Sequence, residues 1–193
     1  MWSSSVAWQV TAFMATQATT FYLLVTWLPT IEVSRGVSST TAGWHLVLYQ
    51  LIGIPAGLGV TAFMRARADH RLVGVAVSVP VLLGALGLLL APSWLLVWVV
   101  LAGLGGGSSL VVALALVGER VRSARHTAQL SGMVQSVGYL LAVAGPLGAG
   151  LLFRLTAGWS STLVAVAVVA ALQAVVALFV GRPRFTHPAA GPA

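Results

Sequence analysis

The sequence predicts an all-α integral membrane protein, and three observations support that class. Of its 193 residues, 59% are hydrophobic and only 7% are charged, whereas about a quarter of the residues in a soluble domain are charged. The apolar residues form six runs of about twenty residues or more, which is the length that crosses a bilayer as a helix. The charged residues fall between or beside those runs. We therefore expect one transmembrane bundle over residues 1–181 and a short cytoplasmic tail over residues 182–193.

The six predicted spans are joined by connections too short to fold as separate domains. In chain order, the spans cover residues 8–28, 42–64, 72–91, 94–117, 128–152 and 160–180. Several tryptophans lie at or near their ends, where an amphipathic ring favours the membrane interface. The first span is too long to be the apolar part of a secretory signal peptide, and no basic residue precedes it. It is expected to remain in the membrane.

Arginine placement predicts the orientation of the bundle. Arginine and lysine in short loops accumulate on the cytoplasmic side. With a cytoplasmic N-terminus, the inner segments hold eight arginines and the outer loops hold two, Arg35 and Arg154. Both termini are therefore expected on the cytoplasmic side of the inner (plasma) membrane. These charges form short clusters and no continuous basic face, so the lipid bilayer is a predicted partner and nucleic acid is not.

Polar side chains concentrate in four of the spans and mark a candidate pathway for a solute. The second and fifth spans each carry polar residues first and a Gly/Pro interruption later, as expected for two inverted three-helix repeats of a transporter. In the fifth span, Gln135, Tyr139 and Pro146 share one helical face. The candidate substrate-binding residues are Gln17, Thr20, Tyr49, Gln50, Ser108, Gln135 and Tyr139.

Each candidate also has a structural alternative. A polar group inside a membrane can simply hydrogen-bond a neighbouring helix, and Ser108 lies in a glycine-rich run, 103–109, that favours close helix packing. His45 lies just inside the outer end of the second span, where an interfacial histidine is common. A role of His45 in gating or substrate binding is the alternative.

The residue content limits the chemistry that the chain can perform. It contains no cysteine, so a thiolate metal site and a cysteine nucleophile are excluded. It also contains no lysine, which excludes a P-loop. No metal, cofactor or enzymatic activity is predicted.

Several short motifs follow one another along the chain: Ala7-Trp8-Gln9, Phe21-Tyr22, Trp27-Leu28-Pro29, Gly36, Ala42-Gly43, the run 103–107, the run 133–139 and Gly145-Pro146. In this order, they resemble the C-terminal half of cyanate-permease-like transporters. This family also includes nitroimidazole-type transporters and belongs to the major facilitator superfamily.

The resemblance implies the architecture and the function. Family members have twelve helices in two six-helix bundles, with a central cavity between the bundles and alternating access by rocking. Only one bundle is present here, so an N-terminal six-helix bundle or a second copy of the chain is the implied partner. The implied function is secondary active transport of a small polar or anionic solute, cyanate-like by resemblance. Gln135 and Tyr139 match the Met-x-Gln motif of the family.

The same resemblance assigns a conformational role to the loop after the second span. The superfamily pattern in this loop is a glycine, an aspartate and paired basic residues. Here Arg65, Asp69 and Arg71 match that pattern in part, while His70 stands where a basic residue is usual. The alternative is that these charges only fix the topology.

The three acidic residues of the chain do not lie at mid-membrane depth. Glu32, Asp69 and Glu119 are in loops or at the ends of spans. A proton-coupled carrier usually needs a titratable group inside the membrane. We therefore expect a proton-coupling residue, if the transporter uses one, in the missing half.

Two other functions are consistent with parts of the sequence. One is a truncated or non-transporting membrane protein. The more remote one is an intramembrane hydrolase, which would use Ser131 as its nucleophile and a histidine such as His45 as its base.

Overall fold

A computed structural model describes residues 1–186, and α-helices make up almost all of this part of the chain. The helices are α1 (Ser5–Val33), α2 (Ser39–Leu51), α3 (Gly53–Arg65), α4 (Arg71–Leu90), α5 (Leu95–Glu119), α6 (Ala124–Thr156) and α7 (Ser160–Val180). A single 3₁₀ turn, Pro92–Trp94, joins α4 to α5. The predicted tail is described as far as residue 186, and its residues 187–193 lie outside the described part.

Every predicted span overlaps a helix or a helix pair of the structure. Within residues 1–186, five helical stretches are long and apolar enough to cross a membrane: Ser39–Arg65, Arg71–Leu90, Pro92–Glu119, Ala124–Thr156 and Ser160–Val180. α1 has 29 residues but is more polar, because threonines and glutamines interrupt its apolar sequence. The all-helical membrane class is confirmed. That α1 forms a sixth span stays a prediction. The arrangement of the helices as two inverted repeats also stays a prediction.

The second predicted span is divided into two helices at Ile52. This residue lies between the last residue of α2 and the first residue of α3, with φ −64° and ψ −24°. Pro55, at the third position of α3, has no N–H to donate to the carbonyl of Leu51. The ladder of helical hydrogen bonds is therefore interrupted between α2 and α3. By contrast, α6 continues through Gly145 and Pro146 without a break.

The helices pack into one bundle in which α1 occupies a central position. α1 contacts α2, α5, α6 and α7, while α4 packs against both α5 and α7. The buried side chains form two apolar clusters, one near each end of α1. α1 is therefore in contact with most of the helices that could form a solute pathway.

A buried polar group links three helices on the α4 side of the bundle. The amide Nε2 of Gln173 on α7 donates a 2.9 Å hydrogen bond to Oγ of Ser109 on α5. The Ser109 hydroxyl in turn donates to the carbonyl of Val77 on α4 at 3.3 Å. Gln173 and Ser109 are fully buried. These polar side chains hold the bundle together instead of facing a solute.

Candidate solute-binding site

A groove between α1 and α6 contains a cavity of about 400 Å³. We call it the α1–α6 groove, and it is lined by Tyr22, Thr26, Tyr139, Ala142, Val143, Pro146 and Leu147. Cavities of a few hundred cubic ångströms, apolar with a few polar groups, are typical of small-molecule sites. The groove therefore has the size and the lining to accept a small solute.

Two tyrosines from different helices form the polar part of the groove. The rings of Tyr22 on α1 and Tyr139 on α6 meet edge to face, with centroids 6.1 Å apart and planes at 72°. Among the described residues, neither hydroxyl has a hydrogen-bond partner. Each phenol can therefore donate to or accept from a ligand, while the ring faces can contact a planar group.

The ring contacts continue from Tyr22 to α2. Tyr22 packs against Phe21 at 5.6 Å, and Phe21 packs against Tyr49 at 5.8 Å. Tyr49 is only 1% exposed. The aromatic contacts thus join α2, α1 and α6, although Tyr49 itself lies inside the bundle.

Gln135 lies one helical turn before Tyr139 on α6. Its amide Nε2 donates a 2.7 Å hydrogen bond to Oγ of Ser131 on the same helix. The side chain is exposed, so it is available to a ligand or to another protein segment. Gln135 does not line the cavity in which Tyr139 lies.

Close packing of α1 against α6 sets the width of the groove. A Cβ atom at Gly145 would lie 2.8 Å from Cγ2 of Thr19, so the absence of a side chain permits this approach. The indole Nε1 of Trp27 donates a 3.0 Å hydrogen bond to the carbonyl of Pro146. The Gly145-Pro146 pair is therefore one of the points at which α1 is fixed to α6.

Gln17 and Thr20 are buried on α1, at 3% and 1% exposure. The Gln17 amide contacts Sδ of Met14 at 3.4 Å, and its Oε1 has no hydrogen-bond partner within residues 1–186. The Thr20 hydroxyl donates to the carbonyl of Gln17. Both side chains thus make their described hydrogen bonds within their own helix, and their role in binding stays a prediction.

Gln50 and Ser108 do not line the α1–α6 groove. Gln50 is exposed on α2. The Ser108 hydroxyl donates to carbonyls of its own helix and borders a second cavity of about 470 Å³ formed by α3, α4 and α5. The structure therefore brings Tyr139 and Tyr22 together but separates them from Ser108.

Tyr22 and Thr26 were not among the predicted site residues, although they line the groove. Both are exposed, and with Thr19 and Thr30 they follow a helical spacing of three, four and four residues. This second polar stripe is visible in the sequence. Choosing it over Gln17 and Thr20 requires knowing which neighbour covers each face of α1.

The loop after α3 makes contacts at one end of the bundle. Glu32, in the last turn of α1, lies at the opposite end. Asp69 accepts a 3.0 Å hydrogen bond from the main-chain N–H of Arg71 and lies 3.3 Å from its side chain. Arg65 is exposed in the last turn of α3. These contacts are local, and the conformational role of Arg65, Asp69 and Arg71 stays a prediction.

The neighbouring residues His70, Glu119 and Arg120 connect this loop to α5 and α7. Nε2 of the buried His70 lies 2.6 Å from Glu119, and the main-chain N–H of His70 donates to the carbonyl of Gly181. The Arg120 guanidinium donates to the carbonyl of Val180. Burial lowers the pKa of Arg120, while the charges of Glu119 and Asp69 oppose that shift. The sequence did not indicate these connections because they join distant parts of the chain.

Comparisons with known proteins identify a family. The family model described as Major Facilitator Superfamily matches residues 10–193. The chain is 37% identical over 184 residues to the 2-nitroimidazole transporter of Escherichia coli (strain K12), and this alignment covers 95% of the chain and 47% of that relative.

Two further relatives are also transport proteins by name. The uncharacterized transporter YycB of Bacillus subtilis (strain 168) is 39% identical over 166 residues, which cover 85% of the chain and 41% of the relative. A protein of Thauera aromatica, provisionally named an anionic 4-hydroxy-benzoate permease, is 37% identical over 99 residues, which cover 51% of the chain and 60% of that protein. The chain spans about half the length of the curated relatives it matches.

Proposed function

The chain belongs to the major facilitator superfamily, and we propose that it forms one six-helix bundle of a secondary transporter for a small polar or anionic solute. The observation that carries this proposal is the α1–α6 groove with Tyr22 and Tyr139 on its walls. In this proposal α1 is the sixth spanning helix, because it packs along α6 and α7. Its exposed threonines would then face a pathway instead of lipid.

A planar solute fits the aromatic walls of the groove. The rings of Tyr22 and Tyr139 can contact the face or edge of such a solute, and their hydroxyls can donate to its oxygen or nitrogen atoms. The amide of Gln135 offers further hydrogen bonds one turn away. The names of two relatives refer to 2-nitroimidazole and to 4-hydroxy-benzoate. These two compounds and cyanate, which the motif resemblance suggests, are the first solutes to test.

Transport by alternating access requires a second bundle, and two surfaces of this chain are suited to contact one. α6 is mostly exposed and carries Leu140 and Leu147, at 75% and 71% exposure. The α2–α3 pair is also mostly exposed and carries Leu58 at 70%. We propose that an N-terminal six-helix bundle, or a second copy of this chain, covers these surfaces. Rocking of the two bundles would open the groove to each side in turn, with Arg65, Asp69 and Arg71 in the loop that restrains this motion.

Uptake into proteoliposomes tests the proposed function. One sample contains this chain alone, and another contains it with the N-terminal half of the Escherichia coli relative. The two halves of that relative, expressed as separate chains, are the positive control for assembly of a split transporter. We expect gradient-driven uptake of at least one of the three solutes in one of the first two samples.

A truncated or non-transporting membrane protein is the alternative. Insertion of the chain without uptake, while the split relative transports, would favour this alternative. The remote hydrolase alternative is less favoured by the family membership. Ser131, its predicted nucleophile, accepts a hydrogen bond from Gln135.

A further inference from the structure

A buried acid–histidine pair joins the end of α1 to the beginning of α2. Glu32, in the last turn of α1, has no exposed surface, and its Oε2 lies 2.8 Å from Nδ1 of His45 on α2. Its other oxygen, Oε1, is also buried and has no hydrogen-bond partner among residues 1–186. A buried, partly unpartnered carboxylate is costly unless its charge is neutralised. This chemistry favours a proton bound at the pair.

The surroundings of the pair provide one further charge. Among the described residues, the charged or titratable groups that act on Glu32 are His45 and Arg35. The Arg35 guanidinium donates a 2.6 Å hydrogen bond to the carbonyl of Leu88 at the end of α4. Arg35 is therefore held beside the pair by a contact that does not depend on the charge of Glu32.

The two ends of α2 are attached to the bundle differently. Near its last turn, the backbone of Tyr49 packs against Gly103 on α5, and directly after Ile52 the residue Gly53 packs against the backbone of Gly107. The end of α2 and the beginning of α3 are therefore both fixed to α5. In the first two turns of α2 the buried residue is Ala42, and the hydrogen bond between His45 and Glu32 joins these turns to α1.

We propose that Glu32 and His45 form a proton-binding site that holds α2 against α1 and releases α2 when both side chains are protonated. While Glu32 is charged, it accepts a charge-assisted hydrogen bond from His45. When both are protonated, a neutral acid faces an imidazolium that lies near the positive charge of Arg35. The attraction between the helices is then lost. The bound protons come from water at this end of the bundle and return to water when α2 moves.

This proposal rests on the transporter function proposed above and adds a site for its coupling ion. It also differs from the sequence-based expectation, which placed proton coupling in the missing half. With the predicted orientation, the pair lies at the outer end of the bundle. Movement of the first turns of α2 away from α1 would open that end.

Infrared spectroscopy of the purified chain tests proton binding directly. The chain has only three Asp and Glu residues, so carboxylic acid bands are few and can be assigned. We expect the spectrum to gain a C=O stretching band as the pH is lowered, and Glu32→Gln to lose this band. His45→Gln, which keeps a hydrogen-bond donor but cannot be protonated, should shift it. Glu119→Gln is the matched control, because Glu119 also pairs with a histidine but is 39% exposed. The spectrum of this variant should retain the Glu32 band.

Hydrogen exchange of residues 39–51 tests the release of α2. After correction for the chemical pH dependence of exchange, we expect exchange in this segment to increase as the pH falls in the wild type. It should be independent of pH in Glu32→Gln, and its pH dependence should be reduced in His45→Gln, in which Glu32 can still bind a proton. Survival in Glu32→Gln of the band assigned to Glu32, or a pH dependence of exchange that is unchanged in Glu32→Gln, would overturn the proposal. If the chain takes up solute but the Glu32 band does not appear, only the proton site is refuted. If the Glu32 band appears and α2 is released at low pH, but no solute is taken up, only the transporter function is refuted.

Discussion

Gly53 on α3 and Gly107 on α5 touch backbone to backbone. A Cβ atom at Gly53 would lie 2.7 Å from Cα of Gly107 and 3.2 Å from its nitrogen. Both neighbours are main-chain atoms, which cannot turn aside as a flexible side chain can. Small residues at such crossings are the usual means of close helix packing in membranes. This contact fixes α3 to α5 just after the interruption at Ile52.

Gly53→Ala is expected to destabilise the bundle by about 1–3 kcal/mol, the usual range for overpacking. Gly59→Ala is the matched control, because it lies in the same helix and a Cβ atom there would meet no atom within 4 Å. Thermal unfolding of the purified variants in detergent measures the difference. Equal unfolding temperatures for the two variants would show that the crossing can separate at no cost.

Trp27→Phe is expected to lower stability by about 1 kcal/mol, because it removes the hydrogen bond to the carbonyl of Pro146 and keeps most of the apolar ring. Trp44→Phe provides the control, since Trp44 is 68% exposed. The midpoints of denaturation by SDS can be compared for the two variants. A larger effect at Trp44 would contradict the proposed attachment of α1 to α6.

The polar link between α5 and α7 can be tested with a double mutant. Ser109→Ala leaves the buried Nε2 of Gln173 without its partner, and an unsatisfied buried group costs about 1–3 kcal/mol. Adding Gln173→Leu removes the unsatisfied group, so the double variant should be more stable than Ser109→Ala alone. Unfolding experiments on the single and double variants check this order. Additive losses would show that the hydrogen bond contributes nothing specific.

Variants of the α1–α6 groove test the solute site. Tyr139→Ala removes one wall of the cavity and Gln135→Ala removes the neighbouring amide, so both should insert normally but reduce uptake when the complete transporter is reconstituted. Tyr22→Ala is expected to reduce uptake as much as Tyr139→Ala, because the two rings are in contact. Initial rates over a range of solute concentrations provide the measurement.

Gln129→Ala is the matched control for Gln135→Ala, since both glutamines are exposed on α6 but Gln129 lies almost three helical turns before Tyr139, whereas Gln135 lies one turn before it. Its uptake should equal that of the wild type. Unchanged uptake in Gln135→Ala and Tyr139→Ala would remove both residues from the site.

Cysteine cross-linking tests the surfaces assigned to a second bundle. Because the natural chain has no cysteine, Leu58→Cys and Leu140→Cys each introduce a single thiol on α3 and α6. Both should form cross-links with a partner bundle or with a second copy in membranes. Leu172→Cys on α7, which is 51% exposed and lies outside both proposed partner surfaces, should not. Cross-linking through Leu172 alone would place the partner on the opposite side.

Some features of this protein were determined by the sequence alone. Long apolar runs with few charges must form helices in lipid, because only then are their backbone polar groups satisfied. The interruption of the second span was also predictable, since Pro55 cannot donate a helical hydrogen bond wherever the helix packs. Tyr139 was predicted as a candidate site residue because its polar stripe on α6 follows the helical period, and its role in binding stays a prediction.

Other features were decided only by the tertiary structure, because burial depends on which helix covers a side chain. On α1, two polar stripes have the same helical spacing, and packing buries Gln17 and Thr20 while it leaves Tyr22 and Thr26 exposed. Glu32 lies at the end of a predicted span, where a carboxylate is usually solvated. It is buried because the turn after α1 brings His45 of α2 against it. The chain itself therefore specifies the helices, whereas contacts between helices decide which polar groups can bind a solute or a proton.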